Sequence, residues 1–240
     1  MPEKLPATLE YFLDNPNAAM WLVLGTIALA MLASFNVKMT FARYNKTASA
    51  KSLPAHVIAR MILDDNGLQN VDIVPTRGKL TDHYDPRTNT VALSESTYNS
   101  TSIGAIGIAA HECGHAFQYA IGYSPVRIRS AIFPVVSFAN RTWMYMVIVG
   151  MFLPLVPGTI MINVGIAAFA LAAVFQTITL PVEFDASRRA MNTIAVQGIL
   201  DINEQQGARK VLNAAAMTYV VALMVSLAQL IRILAIARRR

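Results

Sequence analysis

Long uncharged apolar stretches alternate with one polar region along this chain, and their lengths decide what kind of protein it is. Residues 18–35 read AAMWLVLGTIALAMLASF, close to the roughly 20 apolar residues that a helix rising about 1.5 Å per residue needs to cross a bilayer. Residues 132–156 and 158–180 form two further runs parted only at Pro157 and Gly158. That break is too short for a domain, so the pair predicts a transmembrane hairpin. Asn140 and Arg141 stand near the start of the first of these runs, where an arginine snorkels toward the membrane surface. A fourth run covers 211–231, followed by Arg232 and the tail Arg238-Arg239-Arg240.

Between the first run and the hairpin the pattern becomes that of a water-facing fold. Ser52-Leu53-Pro54 opens a helix carrying Val57, Ile58, Met61 and Ile62 on one side, and Gly67 closes it. Short extended pieces follow at 71–74, 79–84 and 90–94, the last two joined by a turn at Asp85-Pro86-Arg87-Thr88-Asn89. They predict a small sheet, with 90–94 a candidate edge for an extended substrate. Next comes a helix with cap candidates from Asn99 to Ser102, an apolar stripe of Ile103, Ile106 and Ala110, and Gly122 as its stop. After the hairpin, Pro181 reads as the start of a new helix, with Glu183 and Asp185 in its first turns.

Composition supports a membrane protein: 55% hydrophobic and 14% charged residues in 240, with mean hydropathy +0.44, is too apolar for an ordinary soluble domain. The net charge of +6 does not call for nucleic acid, because the basic residues flank apolar spans and obey the positive-inside rule. Lys38, Arg43, Lys46 and Lys51 follow the first run and put the polar region in the cytoplasm. Glu3, Glu10 and Asp14 make the leader acidic, unlike a cleaved signal peptide, so the first run is an uncleaved anchor. Four crossings would place the arginine tail outside, against the same rule, leaving the last run open to a re-entrant or packed arrangement. The organisation expected is an anchor at 1–37, a catalytic domain at 38–130, a hairpin at 131–180, a helix-bearing segment at 181–210 and a C-terminal membrane helix with its tail at 211–240. The single cysteine excludes an intramolecular disulfide.

The chemistry is concentrated in His111-Glu112-Cys113-Gly114-His115. Histidines four apart on a helix lie about 6 Å apart along one face, so both imidazoles reach one ion. Glu112 then flanks that ion, placed to take a proton from an ion-activated water and pass it to a leaving amine. Cys113, two residues from His111, points away from the histidine face and packs in the core. Catalytic zinc takes three protein ligands and keeps a position for water. No third histidine follows in the longer HExxHxxGxxH spacing, so candidates for the third ligand are Glu183, Asp185, Glu204, His83 and Asp82. Glu183 is favoured for its place just after a membrane exit on the same side as the motif.

The blocks HECGHAFQ, TDHYDPRTNTVALS and LPVEFDASRRA, in that order, resemble the YugP-like neutral zinc metallopeptidases of bacteria. More distantly the chain is similar to the HtpX membrane proteases and the CAAX prenyl proteases, which carry HExxH before a pair of membrane spans and a ligand glutamate in an ExxxD pattern after them. The resemblance implies a mainly α polytopic membrane protein with a small α+β zincin-like, gluzincin-type domain. It also implies zinc held by His111, His115 and Glu183. Ser187 stands where the relatives have the aspartate, so only a weaker hydroxyl is available behind a ligating histidine.

The function expected is a multi-pass cell-membrane zinc endopeptidase. Its partners are peptide or protein substrates, including membrane proteins undergoing turnover, and the lipid bilayer. His83, Tyr84, Tyr119 and Arg188 are candidates for stabilising the oxyanion. The rival readings are a non-catalytic membrane scaffold with a structural zinc site, and a zinc amidohydrolase acting on a lipid-linked substrate.

Overall fold

The apolar runs become helices that outlast the runs themselves. The computed structural model describes residues 6–238; Glu3 of the acidic leader and Arg239 and Arg240 of the tail lie outside them. A short helix α1 (Ala7–Asp14) precedes α2 (Pro16–Tyr44), and α3 (Ala55–Asp65) leads into strands β1 (Asp72–Thr76), β2 (His83–Asp85) and β3 (Thr90–Ser94). Four helices complete the order: α4 (Ile103–Ala120), α5 (Ser124–Phe152), α6 (Leu155–Val196) and α7 (Ile202–Arg238). Among the described helices α2, α5, α6 and α7 are long and apolar enough to cross a membrane.

Two compact units divide the chain. The first comprises Met1–Leu32, Ile128–Thr179 and Thr218–Arg240. It leaves large apolar side chains uncovered, including Trp21 (73% exposed), Phe138 and Phe152, as suits a lipid solvent and not water. Within it α5 and α6 approach closely through small residues: a Cβ on Gly150 would stand 2.9 Å from the Gly158 carbonyl oxygen, and one on Gly165 at 2.9 Å from that of Trp143. Such close backbone approach is how helices pack where no hydrophobic drive separates protein from lipid.

The second unit comprises Ala33–Arg127 and Leu180–Met217. Helix α3 starts after Pro54, whose fixed φ suits that place, and Gly67 at φ 73° turns the chain out of it. Its buried side chains Ile58, Ile62 and Leu63 join Val91, Leu93, Ile106, Ala109, Ile194 and Leu200 in one core. The sheet order is β1-β3-β2, with β3 parallel to β1 and antiparallel to β2.

Three expectations need correction here. First, Thr90–Ser94 is the central strand: β1 pairs along its whole length, β2 pairs with Thr90, Val91 and Ala92, and Asp82 takes the Ser94 amide, so it is not an edge open to a substrate. Second, Pro181 opens no helix: α6 runs through it from Leu155 to Val196. A proline inside a membrane-traversing helix is tolerated where neighbours re-satisfy the backbone. Glu183 and Asp185 therefore sit mid-helix, away from the helix-dipole site that acids occupy at an N-terminus. Third, the hairpin connection falls at Leu153 and Pro154, before Pro157. The stretch 181–210 holds the end of α6, a turn with Gly198 at φ 57° and the start of α7, where Asp201 accepts from the amides of Asn203 and Glu204 at 2.8 Å each.

Candidate metal centre

Helix α4 is fixed before it presents any chemistry. The Ser102 hydroxyl accepts the Ala105 amide at 3.1 Å and donates to Asn45 Oδ1 at 2.7 Å, which satisfies a donor left over at the helix start. Gly122 at φ 64° ends it. One face, with Ile106, Ala109, Ala110 and Cys113, packs into the core. The Cys113 thiol lies 3.6 Å from the Ala59 carbonyl oxygen, and burial raises its pKa above the ordinary thiol range. It faces away from the histidines, as their spacing requires.

Along the other face His111 and His115 stand with rings edge to face, centroids 4.7 Å apart. Helix α6 brings Glu183 to them because Gly114 lets its backbone come close: a Cβ on Gly114 would lie 2.7 Å from the Ala186 carbonyl oxygen. Glu183 Oε2 is 3.3 Å from His111 Nε2 and 3.6 Å from His115 Nε2, and the carboxylate is almost fully buried. One donor atom from each of the three residues lies within 4.8 Å of the others. Ligands about 2.0–2.1 Å from a tetrahedral zinc are separated by about 3.4 Å, and the two edges at Glu183 match that spacing.

The groups behind the imidazoles are also in place. Ser187 Oγ lies 3.1 Å from His111 Nδ1, and Gln118 Oε1 lies 3.0 Å from His115 Nδ1. Glu112 is 7% exposed. Burial raises its pKa, the two imidazoles oppose that, and Glu183 and Asp82 add to it. Burial disfavours the charged form of His115, but the Glu183 carboxylate, together with Glu112 and Gln118, outweighs it and raises the pKa above the ordinary histidine value.

The other candidates for a third ligand are engaged elsewhere. Glu204 accepts from the amides of Ala50 (2.6 Å) and Asp201 (2.8 Å). Asp82 holds the Ser94 amide and hydroxyl, while His83 is exposed with Nδ1 2.8 Å from the Thr81 carbonyl. Asp185 is bound by Gln118, Arg188 and Arg189. Of the oxyanion candidates, Arg188 is thus paired with Asp185. Tyr84 donates to Asn89 Oδ1 at 2.8 Å, and its ring packs 5.5 Å from that of Tyr119. Sequence reasoning passed over Gln118, whose signal was its position three residues after His115, on the same helix face.

Fold and site together define a membrane protein with a two-histidine, one-carboxylate group suited to zinc. The chain belongs to the zinc metallopeptidase family described as "Putative neutral zinc metallopeptidase", which it matches over residues 19–238. It is 45% identical over 213 residues to "Putative membrane protease YugP" of Bacillus subtilis (strain 168), covering 88% of this chain and 93% of that relative. No solved structure matches the chain significantly. At the level of the family the protein is a membrane zinc protease.

Proposed function

We propose that the chain is an endopeptidase with a gluzincin-like catalytic domain on the cytoplasmic side of the cell membrane. It cuts membrane or membrane-proximal proteins with zinc held by His111 Nε2, His115 Nε2 and Glu183 Oε2. The observation that carries this reading is the pair of 3.3 and 3.6 Å edges meeting at Glu183, with Glu112 next in sequence to a ligand. Zinc bound there supplies Lewis acidity, polarising the scissile carbonyl and lowering the pKa of the attacking water.

Glu112 takes the proton of that water on its carboxylate and returns it to the departing amine nitrogen. Its burial helps, because a desolvated carboxylate is a stronger base than an exposed one. Ser187 Oγ accepts a hydrogen bond from His111 Nδ1–H, which leaves Nε2 to face the ion. With β3 enclosed, β1 and β2 are the two edges of the sheet, and β2, packed on the site-bearing helix α4 through Tyr84 and Tyr119, is the one placed to take an extended substrate. The basic residues after the first span support the cytoplasmic orientation, and the name of the B. subtilis relative supports a membrane protease.

The test is Glu112→Gln in the full chain in detergent, with products from a peptide library read by mass spectrometry and zinc by elemental analysis. Lost cleavage with zinc retained is expected. Undiminished cleavage refutes the general base, and absence of peptide products from the wild type shifts the reading to a non-peptide amide or a structural site.

A further inference from the structure

The polar group behind His115 is an amide, and its surroundings decide which end of that amide the imidazole meets. Gln118 is fully buried on α4. Its Nε2 lies 2.8 Å from the Val182 carbonyl oxygen and 2.9 Å from Asp185 Oδ2. A main-chain carbonyl can only accept a hydrogen bond, and so can a carboxylate held by two arginines. Both amide hydrogens are therefore committed to α6. The reversed amide would set its oxygen against these two acceptors at a side chain closed off from solvent, where unpaired polar contacts are most costly.

Gln118 Oε1 must then face His115, and it does so at 3.0 Å from Nδ1. An amide oxygen accepts only, so Nδ1 carries the hydrogen. In the neutral ring the lone pair then falls on Nε2, the nitrogen 3.6 Å from Glu183 Oε2. Asp185 is itself fixed: Arg188 pairs with it, and Arg189 Nε holds it at 2.5 Å while its guanidinium lies 5.0 Å from the Phe117 ring centroid.

We propose that Gln118 is a positioning residue that fixes the tautomer and rotation of His115, and that Asp185 acts on the metal centre through it. The chain thus places a carboxylate behind one ligating histidine after all. It stands one amide further back than in the ExxxD pattern, and behind His115, whereas Ser187 takes the place behind His111. The inserted amide passes on orientation without setting a second negative charge against the ring. This inference rests on His115 being a zinc ligand.

The experiment measures zinc affinity of the full chain in detergent by competition with a chromogenic chelator, and the His115 tautomer in the metal-free protein by 15N NMR of histidine-labelled samples. Gln118→Met keeps the volume and removes the relay. It should weaken zinc binding about 10–100-fold and turn a single Nδ1–H tautomer into a mixture. Asp185→Asn should weaken binding in the wild-type background and have no added effect in the Gln118→Met background. Unchanged affinity and tautomer in Gln118→Met, or additive effects of the two substitutions, would overturn the proposal. If Gln118→Met fails to fold, Asp185→Asn alone decides it: a loss of about tenfold supports the relay and none refutes it. His115→Ala separates the premises, because unchanged zinc affinity there refutes the site itself, whereas a large loss there beside an unaffected Gln118→Met refutes only the relay.

Discussion

Adding one methyl group at Gly114 tests whether the contact between α4 and α6 sets the geometry of the site. The new Cβ would stand 2.7 Å from the Ala186 carbonyl oxygen and 3.3 Å from its C and Cα, whereas ordinary contact begins at 3.4 Å. The obstacle is backbone on both sides, so no side chain can swing away. The helices must part by about 0.7 Å. Ala186 lies one turn from Glu183 and next to Ser187, so the same displacement carries the carboxylate from the imidazoles and the hydroxyl from His111. The edges of 3.3 and 3.6 Å then open beyond the roughly 0.5 Å tolerance of a working site.

Overpacking of this kind costs about 1–3 kcal/mol of stability, and a shift approaching 1 Å costs on the order of 100-fold in rate. Gly114→Ala should therefore lower kcat/KM on a quenched-fluorescent peptide by about 10–100-fold and weaken zinc binding. Gly25→Ala serves as the control, since nothing lies within 4 Å of a Cβ there; it should leave both unchanged. Activity of Gly114→Ala within twofold of wild type, with an unchanged Tm, would refute the claim that this approach positions Glu183.

Two further outcomes are expected. Zinc needs His115 neutral, and Glu183, with Glu112 and Gln118, holds its pKa above the ordinary histidine value in the metal-free protein despite burial. Protons therefore compete at higher pH than for an ordinary histidine: zinc affinity should fall about tenfold per pH unit as pH drops below that raised pKa, and an affinity flat from pH 8 to pH 6 would contradict it. Cys113 is 2% exposed and burial raises its pKa, so a chromogenic disulfide reagent at pH 8 should find no thiol in the folded chain and one per chain after denaturation. Rapid labelling of the native protein would contradict the core packing of that helix face.

What could be read from the sequence was what local geometry dictates. The i, i+4 spacing of His111 and His115, the cap at Ser102, the stop at Gly122 and the orientation of Cys113 all follow from the pitch of one helix. The membrane runs follow from length and polarity. Glu183 needed the family resemblance as well, because it stands 68 positions after His115 and only tertiary packing joins them. The central place of β3 was not legible, since strand order is a matter of non-local pairing and alternation does not encode it. Pro181 misled because its effect in a water-exposed helix does not hold for a helix continuing from a membrane span. Asp185 stands in the sequence only as one of five candidate third ligands; its part behind the site appears only once Gln118, on another helix, is seen against it.

The most direct test of the central claim is the zinc position in the metal-loaded full chain, from anomalous diffraction at the zinc edge. Zinc should be bound by His111 Nε2, His115 Nε2 and one oxygen of Glu183, with no fourth protein side chain. Zinc bound instead by His83, Asp82 or Glu204, or closed by four protein ligands, would contradict it.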